Sequence, residues 1–211
     1  MADGRAAMLD RIRSAIGASP DVAADYAAIP RPYIRGSTLD ETGRLRLLEE
    51  RLRDYDTHVV ESDAASLPQT IASILREHHQ KKVIAADGMP TGILPSDFAF
   101  IPERAASLGD LNACDGIVTL CFVAIAFTGS IVLTHGPGEG ARRLTLVPDR
   151  HLCVVRAEQI VETVPEAIER LAPRATQPLT FISGPSATAD IEMTRIRGVH
   201  GPRFLDVVLV R

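Results

Sequence analysis

The chain lacks most of the features that would assign a function at once. Its three cysteines, Cys114, Cys121 and Cys153, form no C-x-x-C pair, which argues against a metal site or an iron–sulfur cluster held by cysteines of this chain. Cys121 and Cys153 lie in apolar, strand-like runs and read as small buried hydrophobes. Positive charge is not in surplus: 23 basic residues stand against 27 acidic ones, a formal net charge of -4. That balance offers no general attraction to nucleic acid or to an anionic membrane. No run reads as a membrane span of roughly 18 apolar residues, and the charged N-terminal segment lacks the apolar centre of a signal peptide. A cytoplasmic protein with a small-molecule or protein partner is expected. Two nucleotide-binding signatures are also missing. The glycine-rich stretch from His135 to Arg143 has neither the Gly-Lys-Ser/Thr ending of a Walker A loop nor the G-x-G-x-x-G spacing.

What is present fits one α/β domain preceded by an extra segment, because 211 residues suffice for one sizeable core. Met8, Leu9, Ile12 and Ile16 recur at helical spacing, and Pro20, Pro30 and Pro32 mark an irregular linker over 17–36. Residues 1–36 are therefore read as an N-terminal helix and proline-containing arm, and 37–211 as the α/β domain. Ser37 or Thr38 starts the next helix, Thr38 with Glu41 forming a capping box, and the helix buries Leu45, Leu48 and Leu52 and ends near Asp54. A strand over 57–60, a helix over 63–79 and a strand over 82–86 then favour a mostly parallel sheet flanked by helices. Asp87-Gly88 faces its carboxyl end, where ligands of open α/β sheets bind. His78 and His79 read as residues suited to a helix carboxyl end, not as a metal pair, since neighbouring helical residues point apart. A helix is expected over 103–108. The stretch 115–134 reads as two strands of a buried β-ribbon joined at Thr128-Gly129-Ser130. Further on come a strand over 151–155 and a helix over 158–171, with Ile160, Val161, Val164 and Ile168 inward and Pro165 kinking or restarting it. The last strand, 205–210, is almost wholly apolar and must be central.

The chemistry centres on Thr180 to Glu192, read as a buried strand, a polar turn and a helix starting near Ala189. Backbone amides after Gly184, with the hydroxyls of Ser183, Ser186 and Thr188, could hold an anion at that helix start, Asp190 orienting the cradle. The same hydroxyls could simply cap the helix and satisfy the turn. Gly136 and Gly138 permit close backbone approach, and Arg142 and Arg143 could meet a carboxylate or phosphate. The loop could equally be a flexible connection. His200 and Arg203 would close the site. Asp149 and His151 share a strand face, which permits an acid–imidazole pair.

The runs TGSIVLTHGPGEGARRLTLVPDRHLCVVRAEQIVETVPEAI and PLTFISGPSATADIEMTRIRGVHGPRFLDVVLV resemble the LUD domain of the lactate utilisation protein C family. The resemblance covers the second half of the chain closely. It implies a sheet with helices on both sides, similar to the sugar-phosphate isomerase and CoA-transferase class of folds, and a link to L-lactate oxidation. It also implies partner proteins that carry the iron–sulfur clusters, with no cofactor on this chain. The family usually presents Ala-Glu-Thr-Gly where this chain has Ala126-Phe127-Thr128-Gly129, and tends to have His at the position of Asp206. A phenyl ring cannot serve as the base, nucleophile or polar ligand that a carboxylate could.

The leading expectation is an accessory subunit of a cytoplasmic lactate-to-pyruvate system that binds a small anionic ligand between the Thr180 stretch and the glycine-rich loop. A free-standing enzyme acting on a phosphorylated or CoA-linked small molecule and a non-catalytic scaffold are the alternatives.

Overall fold

The computed structural model describes residues 4–17, 21–188, 196–198 and 201–211. Two compact units divide the chain, Met1–Ile34 and Arg35–Arg211. The first contains helices α1 (Gly4–Ile16) and α2 (Val22–Ala28). The second of these interrupts the stretch expected to be irregular. Asp21 explains why, since its Oδ1 accepts from the Ala24 amide at 2.9 Å and caps a helix of good formers.

The second unit begins with α3 (Glu41–Asp54), whose N-cap is Asp40 and not Thr38. Asp40 Oδ1 takes the Gly43 amide at 2.7 Å, while Thr38 is occupied elsewhere, as described below. Then follow β1 (His58–Ser62), α4 (Leu67–Glu77), β2 (Val83–Ala85) and β3 (Phe100–Pro102). The helix expected over 103–108 is only a single tight turn at Glu103–Ala105, and α5 (Leu108–Ala113) starts later, where Ser107 and Asp110 form a capping box.

The apolar stretch 115–134 provides three strands, not two: β4 (Gly116–Leu120), β5 (Val123–Ile125) and β6 (Ser130–Leu133). Only the last two form the expected ribbon, with Ile125 opposite Ser130. The chain next forms β7 (Arg150–Arg156), β8 (Ile160–Val161) and α6 (Val164–Leu171). The helix expected from Glu158 thus starts six residues late. Its register follows from the capping box of Thr163 and Glu166, with Pro165 in the first turn where its missing N–H costs nothing. Ile160 and Val161 are buried as strand residues, Val164 and Ile168 are exposed, and Ala167 and Leu171 face inward. The remaining strands are β9 (Thr180–Ile182), β10 (Ala187–Thr188), β11 (Ile196–Arg197) and β12 (Phe204–Val210).

Among the described residues a six-stranded sheet has the order β1-β12-β7-β4-β2-β3, parallel throughout. A second sheet, β8-β5-β6-β9, packs beside it, and β10 pairs with β11 in a short antiparallel ribbon. Strand β12 is interior, as its apolar sequence requires. Its alternation sorts the core: Leu205, Val207 and Leu209 face α3 (Leu45, Leu48, Leu52) and the second sheet, while Val208 and Val210 face α4 (Leu67, Ile71, Ile74, Leu75). Each such buried leucine or isoleucine contributes about 1.5–3 kcal/mol. Cys121 and Cys153 are buried together in the first of these clusters. No helix among the described residues is long and apolar enough to cross a membrane.

Candidate functional site

A cavity of about 220 Å³ lies between β9 with its exit turn and the sheet face that carries His151 and Leu205. Arg142, Thr145, Thr180, Ser183 and Ser186 line its polar side. Two strands bring these groups together. On β9, antiparallel pairing sets Leu133 opposite Thr180 and Ile131 opposite Ile182, so Ser183 emerges beside Ser130, and their hydroxyl oxygens lie 2.7 Å apart. Thr128 Oγ1 donates to Ser130 Oγ at 2.8 Å, extending the hydroxyl chain to the β5–β6 turn. Gly184 turns the strand with φ of 80°, and a Cβ there would run into Tyr55; only glycine fits.

His151 is fully enclosed, with Nε2 2.7 Å from Thr119 Oγ1. Burial lowers its pKa from 6.5 to about 4, a shift that the charge of nearby Asp206 partly opposes. At neutral pH it is an uncharged hydrogen-bonding group. Arg142 supplies the positive charge on the cavity wall, its Nη1 donating to Thr145 Oγ1 at 3.0 Å and Thr145 O at 3.3 Å. A second imidazole stands behind Thr180: His135 Nδ1 is 2.8 Å from Gly140 O and Nε2 is 2.9 Å from Thr180 Oγ1. A carbonyl only accepts, so Nδ1 carries the proton and Nε2 accepts from the threonine. Such a lining suits a small anion with further polar atoms.

The candidate residues thus separate. Arg142, Ser183, Gly184 and Ser186 line the cavity. The Ser186 amide is already committed to Pro202 O at 2.8 Å, so it is not a free cradle donor. Thr188 lies in β10, a strand where a helix lead-in was expected; Asp190, His200 and the helix start at Ala189 lie outside the described residues. Strand β9 itself is an edge strand with Phe181 half-exposed, not a buried one. Gly136 and Gly138 do not line the cavity. They shape a loop that locks onto the ends of β2 and β4: the Gly138 amide donates to Asp87 O, Gly138 O accepts from the Leu120 amide at 2.7 Å, and buried Glu139 accepts from Thr134. Arg143 donates to Glu103 O at 3.4 Å instead. Arg203 forms a two-pronged exposed pair with Asp149, at 2.5 and 2.6 Å. That pairing, with His151 turned to Thr119, replaces the acid–imidazole pair expected of Asp149 and His151.

Three features escaped the sequence reading. Thr145 had no motif to mark it, and Thr180 opened the chosen stretch without being given a role there. Glu162 is a buried carboxylate that accepts from the amides of Thr38 and Leu39, both at 2.7 Å, and from the hydroxyls of Ser37 and Thr38. These bonds lower its pKa, the Leu39 amide most. Its carbonyl takes the amide of Phe127, whose ring is exposed on the turn. Finally, His58, His78 and Asp206 converge on the face of the sheet opposite His151. Asp206, a lone carboxylate in an apolar strand, was the signal available for them.

Comparison with known proteins adds to this geometry. The LUD domain model matches residues 45–210. "Lactate utilization protein C" of Deinococcus radiodurans is 39% identical over 212 residues, covering 99% of this chain and 96% of the relative. The protein of the same name from an Exiguobacterium species is 29% identical over 166 residues, covering 73% and 72%. The crystal structure of a DUF162 family protein from Deinococcus radiodurans superposes with a TM-score of 0.71 at 36% identity, covering 82% of this chain and 99% of that one.

Proposed function

Since the chain belongs to the LUD domain family, we propose that it serves lactate utilisation as a cytoplasmic accessory subunit and binds a small carboxylate in the cavity beneath β9. The observation that carries this reading is the end-to-end likeness to relatives named for lactate utilisation. The cavity chemistry supports it. Arg142 offers a charge partner for the carboxylate, Ser183 offers a hydroxyl, and His151 offers a neutral imidazole to a second oxygen of a 2-hydroxy or 2-keto acid. The family resemblance implies that electrons leave lactate on partner proteins with iron–sulfur clusters, and a chain without clustered cysteines agrees with that division of labour. In this chain the cavity's work is to bind and orient.

The test titrates the purified chain with L-lactate and with pyruvate by calorimetry. Arg142→Gln and Ser183→Ala are expected to weaken binding, the first by roughly tenfold or more, since a hydrogen bond to a charged group is worth about 1.5–3 kcal/mol. Unchanged affinity in both variants would remove the carboxylate from this cavity. In parallel, the tagged chain is used to recover partners from lactate-grown cells of its source. Iron–sulfur proteins together with lactate oxidation in the eluate are expected; recovery of the chain alone counts against the subunit role.

A further inference from the structure

Parallel strands and the helices that connect them run in opposite directions, so the carboxyl end of α4 returns to the amino edge of the sheet. There His78, the residue capping α4, meets the first residue of β1, His58, and the third residue of β12, Asp206. Register places His58 directly beside Asp206. His58 Nδ1 lies 2.9 Å and His78 Nε2 lies 3.2 Å from the same oxygen, Asp206 Oδ1, and all three donor atoms fall within 4.8 Å of one another. The other carboxylate oxygen, Oδ2, is held by Arg150 Nη1 at 2.9 Å, and that guanidinium is fixed over the Phe204 ring at 4.5 Å.

We propose that His58, His78 and Asp206 bind one divalent ion of the zinc class at the amino edge of the sheet. Ligand bonds of about 2.0–2.2 Å in a tetrahedral site imply donor atoms roughly 3.3 Å apart, close to the two separations found. Two imidazoles and one carboxylate are a donor set of the right hardness for zinc. His78 Nε2 is buried and makes no hydrogen bond, although it sits 3.2 Å from a carboxylate oxygen. Its geometry suits a lone pair aimed at a shared ion better than a proton aimed at Asp206. Arg150 orients the carboxylate through Oδ2 and leaves Oδ1 to the ion, the arrangement of an outer partner that sets a ligand. The carboxyl end of α4 adds partial negative charge from its last carbonyls, offsetting the guanidinium. The His58 side chain is 40% exposed, so a fourth position opens to water. The ion would tie α4, β1 and β12 together. His79, adjacent in sequence but turned away with φ of 54° and exposed, takes no part.

The full chain, stripped with a chelator, is titrated with Zn2+ by calorimetry and with Co2+ by visible absorption. One ion per chain is expected, with Co2+ bands of a four- or five-coordinate site and a melting temperature that rises with Zn2+. His58→Gln with His78→Gln should lower affinity by more than the roughly 10–100-fold typical of losing only an outer partner, and His79→Gln should change nothing. If the double variant fails to fold, as circular dichroism would show, His58→Gln alone, at the more exposed position, decides. Zn2+ binding unaffected by His58→Gln, equal loss in His79→Gln, or no binding at micromolar Zn2+ would overturn the site.

Discussion

Two faces of one strand pair behave as opposites within a single residue step. On one face, His151 of β7 and Leu205 of β12 close a hydroxyl-lined cavity; on the other, Arg150 and Asp206 join His58 and His78 in a cluster dense in ionisable groups. The strands supply the same backbone to both, and only the alternation of side chains separates them. What differs is the fate of charge. His151 is buried with a neutral hydroxyl for a partner and gives up its charge, whereas Asp206, fully buried, is surrounded by one guanidinium and two imidazoles. Burial strips His151 of its charge, while buried Asp206 is met by three side chains that can partner a carboxylate.

The sharpest way to break this contrast is to remove the carboxylate. Asp206→Ala leaves Arg150, itself mostly buried, without its counter-ion, and urea unfolding should show a loss of about 3–5 kcal/mol. A loss near that of an ordinary surface substitution would mean that the cluster is not an ionic unit. The opposite face is tested with acid. Unfolded His151 takes up its proton near pH 6.5 and the folded group only near pH 4. The unfolded state therefore binds the proton first as pH falls. Stability from this residue is complete above about pH 6.5 and declines toward pH 4, by about 3 kcal/mol in all. His151→Gln should flatten that part of the pH–stability curve relative to the parent chain, and parallel curves would refute the assignment. The smallest effect belongs to the exposed Arg203–Asp149 pair, close to both faces in sequence but part of neither. Arg203→Gln should leave the urea midpoint and carboxylate binding unchanged within error, because solvent screens an exposed pair.

Much of the architecture was legible before any coordinates. The leucine stripe of α3, the alternation of strand and helix, and the central place of β12 all follow from apolar periodicity, which tertiary packing enforces. Errors arose where short polar signals compete. Asp40 outcompeted Thr38 for the cap of α3 because Glu162, more than a hundred residues away, claimed the threonine. Ile160 and Val161 fit a helical stripe as well as a strand, and the capping box at Thr163 decided between them. The site was legible only in part. Ser183, Ser186 and Arg142 announced themselves as turn hydroxyls and a loop cation, but Thr145, Thr180 and the enclosure of His151 depend on which strands become neighbours. The glycines of the 136–138 loop looked like ligand-approach positions for the same physical reason that they serve as packing positions: both need backbone without a side chain.

The carboxylate of Glu162 works as the tongue of a buckle. It fastens the strap of residues 37–39 to the start of α6, while its carbonyl holds the β5–β6 turn that displays Phe127. One residue thus anchors both the segment ahead of α3 and that turn, across a distance in sequence that no local motif would suggest. A shortened chain beginning after Leu39 would keep the tongue and lose the strap.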